Sequence, residues 1–234
     1  MQLKIAIADA EAHVHDHRVE TAQKKREKMR SRILEATTKV YMQITDDAPV
    51  IEDVVREAKI SRGTFYKYFD SLDEALVAAG VEANNRMIAD IASVYAFLNE
   101  PWQRASVGFR IFMVRALQEP GWAAFITRMD AWPHDSMISV HMTRDLQRGK
   151  ELGQFRFDDE VVANDFLMGA SAGCVQAVRR GVSEPQAYLD SGVRMMLQAL
   201  GCNPELTEKA VDFSKHHIAQ WLESKRSVWA KENE

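Results

Sequence analysis

The chain has 234 residues, of which 46% are hydrophobic and 27% charged, and a formal net charge of −4. This composition excludes a disordered or fibrous chain and fits either one sizeable core or a small unit joined to a larger one. The negative balance gives no overall attraction to nucleic acid, so any such contact has to come from a local basic surface.

Residues 1–23 show no sustained periodicity and predict a flexible N-terminal arm. The apolar opening is broken at Asp9, too early for a secretory signal, and no apolar stretch reads as long enough to span a membrane. The expected location is therefore cytoplasmic. His13, His15 and His17 would share one side of an extended arm, but three exposed imidazoles without a fixed fourth ligand do not define a metal site. No metal, cofactor or catalytic residue is expected.

From Lys24 the pattern turns helical, with Met29, Ile33, Thr37, Val40 and Ile44 along one face. Lys24, Lys25, Arg26, Lys28, Arg30 and Arg32 crowd its start against Glu27 alone, and Lys28 is the candidate phosphate contact. Alone, such a run is more often just a solvated helix face. The helix should stop before Asp46-Asp47-Ala48-Pro49, and Ile51, Val54, Val55 and Ala58 predict a short second helix. Lys59-Ile60 makes the turn, and Ser61 can cap a third helix. Ile60, Phe65 and Phe69 should close a small core against Ile33, Val54 and Val55. A fourth helix should start near Leu72, with Asp73 and Glu74 by its positive end.

The third helix carries the candidate DNA-reading groups. Arg62, Thr64 and Lys67 can point to the major groove, where Arg and Lys pair with guanine and a Thr methyl meets thymine. Tyr66 and Tyr68 can donate to phosphates or meet a base through the ring. Gly63 either lets the backbone approach DNA closely or serves packing against the neighbouring helix. Lys59 and Ser61 complete the candidate interface.

Residues 56–76, Arg-Glu-Ala-Lys-Ile-Ser-Arg-Gly-Thr-Phe-Tyr-Lys-Tyr-Phe-Asp-Ser-Leu-Asp-Glu-Ala-Leu, resemble the signature of the TetR family of bacterial transcriptional regulators. The strong likeness covers roughly residues 26–76. It implies an operator-reading helix-turn-helix followed by a larger helical domain that binds a small ligand and dimerises. Thr64 and Tyr66 then match positions that commonly touch operator DNA, Tyr68 one often held by a phosphate-contacting His, and Lys67 a variable, specificity-related position. Three residues depart from the pattern. Leu72 stands where many members have a phosphate-binding Lys, Lys59 replaces the usual turn glycine, and Val50 replaces a Thr or Ser.

Beyond Leu72 the chain reads as helical throughout, with breaks near Pro101, Pro120, Pro133, Gly149 to Gly153, Gly181 to Pro185 and Gly201 to Pro204. A brief alternation at residues 154–157 is explained equally well by a turn. The expected fold is all-α: a helix-turn-helix domain over residues 24–71 and a ligand-binding and dimerisation bundle over 72–234. Cys174 and Cys202 lie in apolar helical context and read as buried thiols.

Phe109, Phe112, Met113, Phe125, Met129, Trp132, Met137 and Phe166 are numerous enough to predict an adaptable apolar cavity, although each is individually more easily core. His134 and His141 are candidate ligand-orienting groups, with Arg110, Arg115 and Asp165 behind them. The small residues of 158–180, together with a helix over 185–200, resemble the pair that forms the family's dimer interface. Val175, Val178, Val193, Met196, Leu197 and Leu200 are the interface candidates, with intrachain core as the rival. A last helix, about 204–227, should carry Leu206, Ala210, Phe213, His217 and Trp221 on one face.

The expected function is a homodimeric repressor released from a palindromic double-stranded operator by a small, mostly apolar effector, and associated with the nucleoid when bound to DNA. The same parts would serve an activator. A non-specific architectural DNA-binding protein is a further alternative. No nucleophile–base order, HExxH or phosphate-binding glycine loop supports an enzyme.

Overall fold

The computed structural model describes residues 2–44, 48–128 and 137–232, with side chains described between 20 and 224 within those spans, Asp90 apart. The described residues form eleven helices and no strand, which is the all-α fold expected. The chain divides into two compact units, Met1–Ala79 and Gly80–Glu234.

The first unit holds α1 (Gln2–Gln43), α2 (Ile51–Ala58), α3 (Arg62–Phe65) and the start of α4 (Leu72–Asp90). α1 begins well before Lys24, a correction to the sequence reading. An apolar stripe reports packing, whereas residues 2–23 contain neither Gly nor Pro and are rich in Ala, so intrinsic propensity favours helix without a stripe. The expectation about His13, His15 and His17 lies outside the described side chains.

Local chemistry sets the bounds of α2 and α3. The Asp53 carboxylate accepts the Val50 N–H at 3.1 Å, which satisfies a donor ahead of α2 where Val50 has no cap of its own. α2 ends at Lys59, which takes the left-handed conformation (φ 52°, ψ 49°). Its N–H donates to the Arg56 carbonyl at 3.2 Å, and the Ile60 N–H to Val55 at 3.0 Å. Ser61 Oγ then accepts the Thr64 N–H at 3.1 Å and caps α3 as expected. Ile33, Val54 and Phe65 are fully buried and Phe69 nearly so, giving α1, α2 and α3 one shared core. Val55 and Ile60 sit at its margin.

The second unit contains the end of α4, then α5 (Ala92–Tyr95), α6 (Pro101–Gln118), α7 (Pro120–Ile126), α8 (Met137–Glu151), α9 (Glu160–Arg180), α10 (Pro185–Ala199) and α11 (Pro204–Glu232). Proline opens α6, α7 and α10, where its missing N–H costs no helical bond. α6 is the centre of this unit, packing against α7, α8, α9, α10 and α11. Leu152 and Gly153 form a turn and residues 154–157 follow as an irregular stretch, in which the Arg156 N–H donates to the Leu200 carbonyl at 2.7 Å. That approach needs Gly201, at φ +73°, because a Cβ there would lie 2.5 Å from the Arg156 carbonyl oxygen.

Two further expectations are corrected here. α9 is, by length and composition alone, apolar enough to cross a membrane. It was missed because Asn164 and Asp165 interrupt the run, and its inner face packs on α6, α7 and α8. The interface candidates Val175, Val178, Val193, Met196, Leu197 and Leu200 are all at most 6% exposed, covered by their own chain. The outward large apolar groups of α9 and α10 are instead Val161, Val162, Phe166 and Met195, at 60%, 66%, 56% and 70% exposure. Gly169 and Gly173 continue the α9 stripe, with nothing within 4 Å of an added Cβ. Because α9 is apolar or small nearly all round, its sequence does not say which side faces inward.

α11 buries Thr207, Ala210, Val211, Ser214 and Ile218, a face slightly rotated from the one expected. Phe213 and His217 border it, stacked at 5.3 Å, and His217 Nε2 lies 3.0 Å from the Val94 carbonyl. Arg110, 2% exposed, ties three helices together: Nε donates to Ser214 Oγ at 2.9 Å and Nη2 meets Asp190 at 2.5 Å.

Candidate nucleic-acid interface and effector cavity

In the first unit, Ser61, Arg62, Gly63, Tyr66 and Lys67 are exposed, while Thr64 and Tyr68 are half-buried. They surround a segment whose Phe65 and Phe69 point into the core, so one short turn of chain separates its packing face from its polar face. Arg62 is held by Glu52 at 2.8 Å and lies 5.8 Å from the Tyr66 ring centroid. The Tyr66 hydroxyl and the Glu52 carboxylate both raise the Arg62 pKa, so the guanidinium stays charged. A Cβ on Gly63 would meet nothing closer than Ser61 Oγ at 4.0 Å. Intramolecular packing therefore does not require glycine there, which removes one of its two candidate roles.

Lys59 and Lys28 are exposed, and so are Lys24, Lys25, Arg26, Arg30 and Arg32. The Arg30 guanidinium also lies 5.4 Å over the Phe69 ring. The basic surface expected from the sequence is thus solvent-facing, on the helix that supports α3's core.

The second unit holds a partly open cavity of about 350 Å³, at the small end of the range for ligand sites. α4, α5, α6, α8, α9 and α10 all contribute to its wall. Of the ligand candidates, Phe109, Phe112 and His141 line it. Met113 and Phe125 are fully buried core instead, and Met137 and Phe166 face outward at 42% and 56% exposure. Met129, Trp132 and His134 lie outside the described residues. Among the polar groups, Arg110 is spent on Ser214 and Asp190, and Arg115 lies 4.8 Å over the Trp122 ring, behind Phe112. Asp165 is exposed. Two interface candidates, Val175 and Met196, belong to the cavity wall.

Several lining residues were not foreseen, above all Tyr95, Arg104, Asp145 and Phe155. Arg104 Nε donates to Asp145 Oδ1 at 2.7 Å, and its guanidinium lies 4.9 Å from the Tyr95 ring centroid. The Tyr95 hydroxyl donates to the Arg104 carbonyl at 3.4 Å. Burial pushes the Tyr95 phenol well above its ordinary pKa. It raises the Asp145 carboxyl too, against the opposing pull of Arg104. These groups come from three helices, so no local spacing announces them; the one short-range signal is His141 and Asp145, one helical turn apart.

Helix glycines seat three of the aromatic walls. A Cβ on Gly108 would collide with the Tyr95 hydroxyl, one on Gly149 with the Phe155 ring, and one on Gly192 would lie 2.8 Å from Phe109. Both cysteines are free thiols, and burial pushes Cys202 up to about 12. Among the described residues no group of three or more His, Cys, Asp or Glu side chains is placed to hold a metal ion.

The first unit thus presents a capped helix-turn-helix with an outward polar face, and the helical second unit is built around an apolar cavity. Residues 101–211 match the family model of the tetracyclin repressor-like C-terminal domain. The matched segment is a little under half of the chain and lies within the second unit, which thus resembles that domain family. No curated protein sequence matches it.

Among solved structures, the chain resembles RolR in complex with resorcinol, with a TM-score of 0.65 at 22% identity over 82% of this chain and 95% of that one. It also resembles TylP, a TetR regulator from Streptomyces fradiae, with a TM-score of 0.57 at 13% identity over 84% and 98%. A TetR-family regulator from Haemophilus influenzae gives 0.54 at 14% identity over 75% and 98%. At these identities the likeness concerns the fold.

Proposed function

We propose that this chain is a repressor that sits as a homodimer on a palindromic operator and is released when a small, mostly apolar effector enters the second unit's cavity. The observation that carries the reading is the cavity itself. It is apolar over most of its wall, sized for a small molecule, and takes Ile88 from α4, the helix that begins directly after the DNA-reading segment. A solved relative in fold, RolR, holds resorcinol, which supports a small effector.

On this reading Arg62, Thr64 and Lys67 read bases. Tyr66, Tyr68, Lys59 and Lys28 hold phosphates, and Ser61 and Gly63 shape the approach. Residues 24–71 are the DNA-binding part, and the effector and dimer functions lie beyond Leu72. The dimer surface is the outward stripe of Val162, Phe166, Gly169 and Gly173 with Met195. A closed two-fold dimer doubles the length of operator read. The protein works in the bacterial cytoplasm, on the nucleoid while bound to DNA.

Selection of a random duplex pool by the full chain at near-physiological salt tests this. Enrichment of one inverted repeat, followed by its release with a cavity-binding compound, is the expected outcome. Retained binding without sequence preference would point to an architectural role instead.

A further inference from the structure

The cavity wall is apolar except for Tyr95, Arg104, His141, Asp145 and Ser171, of which Arg104 joins Tyr95 and Asp145 and His141 lies one helical turn from Asp145. Among the described lining residues the formally charged ones are Arg104 and Asp145, and they pair with each other at 2.7 Å. Their side chains are only 24% and 20% exposed, so the pair is poorly screened. The guanidinium charge is thus already balanced before any ligand arrives.

An entering anion would gain little from Arg104 and would be repelled by Asp145 in a low-dielectric site, besides losing its own hydration. A carboxylate, by contrast, is an acceptor with room for several donors, and Arg104 Nε engages one of its two oxygens. The Tyr95–Arg104–Asp145 group therefore suits a ligand that brings a neutral O–H donor. Elsewhere the walls are flat rings, Tyr95, Phe109, Phe112 and Phe155, which favour an aromatic body.

We infer that the cavity recognises a small, neutral, hydroxyl-bearing aromatic molecule whose O–H donates to Asp145, and that it discriminates against aromatic carboxylates of the same size. This rests on the reading of the cavity as the effector site and adds the chemical class and the residue that selects it. Asp145 is the specificity-determining acceptor. Arg104 positions it and cancels the charge that would otherwise attract acids.

The test is calorimetric titration of the full chain at pH 7 with three matched probes: 4-ethylphenol, ethylbenzene and 4-ethylbenzoate. A phenol with a pKa of about 10 stays neutral there, and a benzoate with a pKa of about 4 is ionised. A hydrogen bond to a charged acceptor predicts that 4-ethylphenol binds about tenfold or more tightly than ethylbenzene. The benzoate should fall at least as far behind. In Asp145→Asn the uncompensated Arg104 should invert the order of phenol and benzoate.

If the variant does not fold, the ranking on the native chain still decides. Benzoate binding as well as the phenol, ethylbenzene matching the phenol, or no binding of any probe overturns the inference. Operator affinity measured with each probe separates the two levels. Phenol binding that leaves the operator complex intact removes the release mechanism but keeps the site's chemistry. Release driven by the benzoate does the reverse.

Discussion

The Tyr95 hydroxyl occupies the space over Gly108 that any Cβ at that position would need. Glycine inside α6 costs roughly 1 kcal/mol of helix propensity, and this contact is what the missing methyl permits. Gly108→Ala should therefore destabilise the chain by about 1–3 kcal/mol through overpacking and should weaken binding in the cavity. Tyr95→Phe removes the colliding oxygen, so the double variant should recover much of the loss. Denaturant unfolding of the four chains in a cycle checks this, and additive losses would show that the two residues do not share the space.

Gly63 presents the opposite case, a glycine with open room. Gly63→Ala should leave unfolding unchanged or raise stability by up to about 1 kcal/mol. Operator affinity should fall at the same time, because the new methyl meets DNA and nothing in the protein. Equal affinity for the two chains in a fluorescence anisotropy titration would show that the backbone at Gly63 does not approach DNA closely.

The turn between α2 and α3 makes a paired prediction. Lys59 holds a left-handed conformation that costs a side-chain-bearing residue about 1–2 kcal/mol, partly offset by the greater unfolded-state freedom of glycine. Lys59→Gly should gain up to about 1 kcal/mol, and Ser61→Ala should lose about 1 kcal/mol with the α3 cap. Thermal unfolding reads both. On DNA, Lys59→Gly should reduce the salt dependence of binding by removing a phosphate contact.

Much of this first unit was legible in the sequence because its determinants are local. The cap at Ser61, the turn at Lys59 and the alternation of Phe65 and Phe69 with polar neighbours all lie within a dozen residues. The cavity was legible only as a density of aromatic groups. Phe109 and Phe112 do line it, whereas Met113, one residue on, turns into the core and Phe166 turns outward. Tyr95, Arg104 and Asp145 meet through the packing of three helices, which no spacing along the chain encodes. The interface residues failed for a related reason. Val193, Leu197 and Val175 have the same chemistry as Val162 and Met195, and only packing decides which set is covered.

Two aspartates give stability opposite pH dependences. Hydrogen bonding from the Val50 N–H, with help from Arg56, lowers the Asp53 pKa from 3.8, so its contribution is present above that value and lost as pH falls through the lowered folded pKa. Burial raises the Asp145 pKa above 3.8, so its protonated form favours folding, and that contribution is lost as pH rises through the raised value. Across the carboxylate range, the stability difference between the native chain and Asp53→Asn should grow with pH. For Asp145→Asn it should shrink. Urea unfolding at a series of pH values resolves the two slopes, and slopes of the same sign would contradict the assigned causes.

The outward stripe on α9 and α10 predicts the assembly. Phe166→Glu, with Met195→Glu as a second variant, should shift the chain toward monomer in sedimentation at micromolar concentration while leaving its helical content intact. Both positions are more than half exposed in the single chain, so neither charge should disturb the protomer's own core. A native chain that sediments as a monomer, or variants that sediment as the native dimer does, would count against this surface.

α9 carries Leu167, Met168 and Val175 on the cavity wall and Phe166 and Gly173 on its outward side. With a partner copy on that outward side, the same helix is held from both directions, and what steadies one face lowers the cost of ordering the other. Coupling of this kind is reciprocal, so in the proposed dimer effector affinity would become a function of how much protein is present. Dilution below the dimer's dissociation constant would then change the concentration of effector needed for half-saturation. The sensitivity of the switch would follow the cellular abundance of the regulator itself.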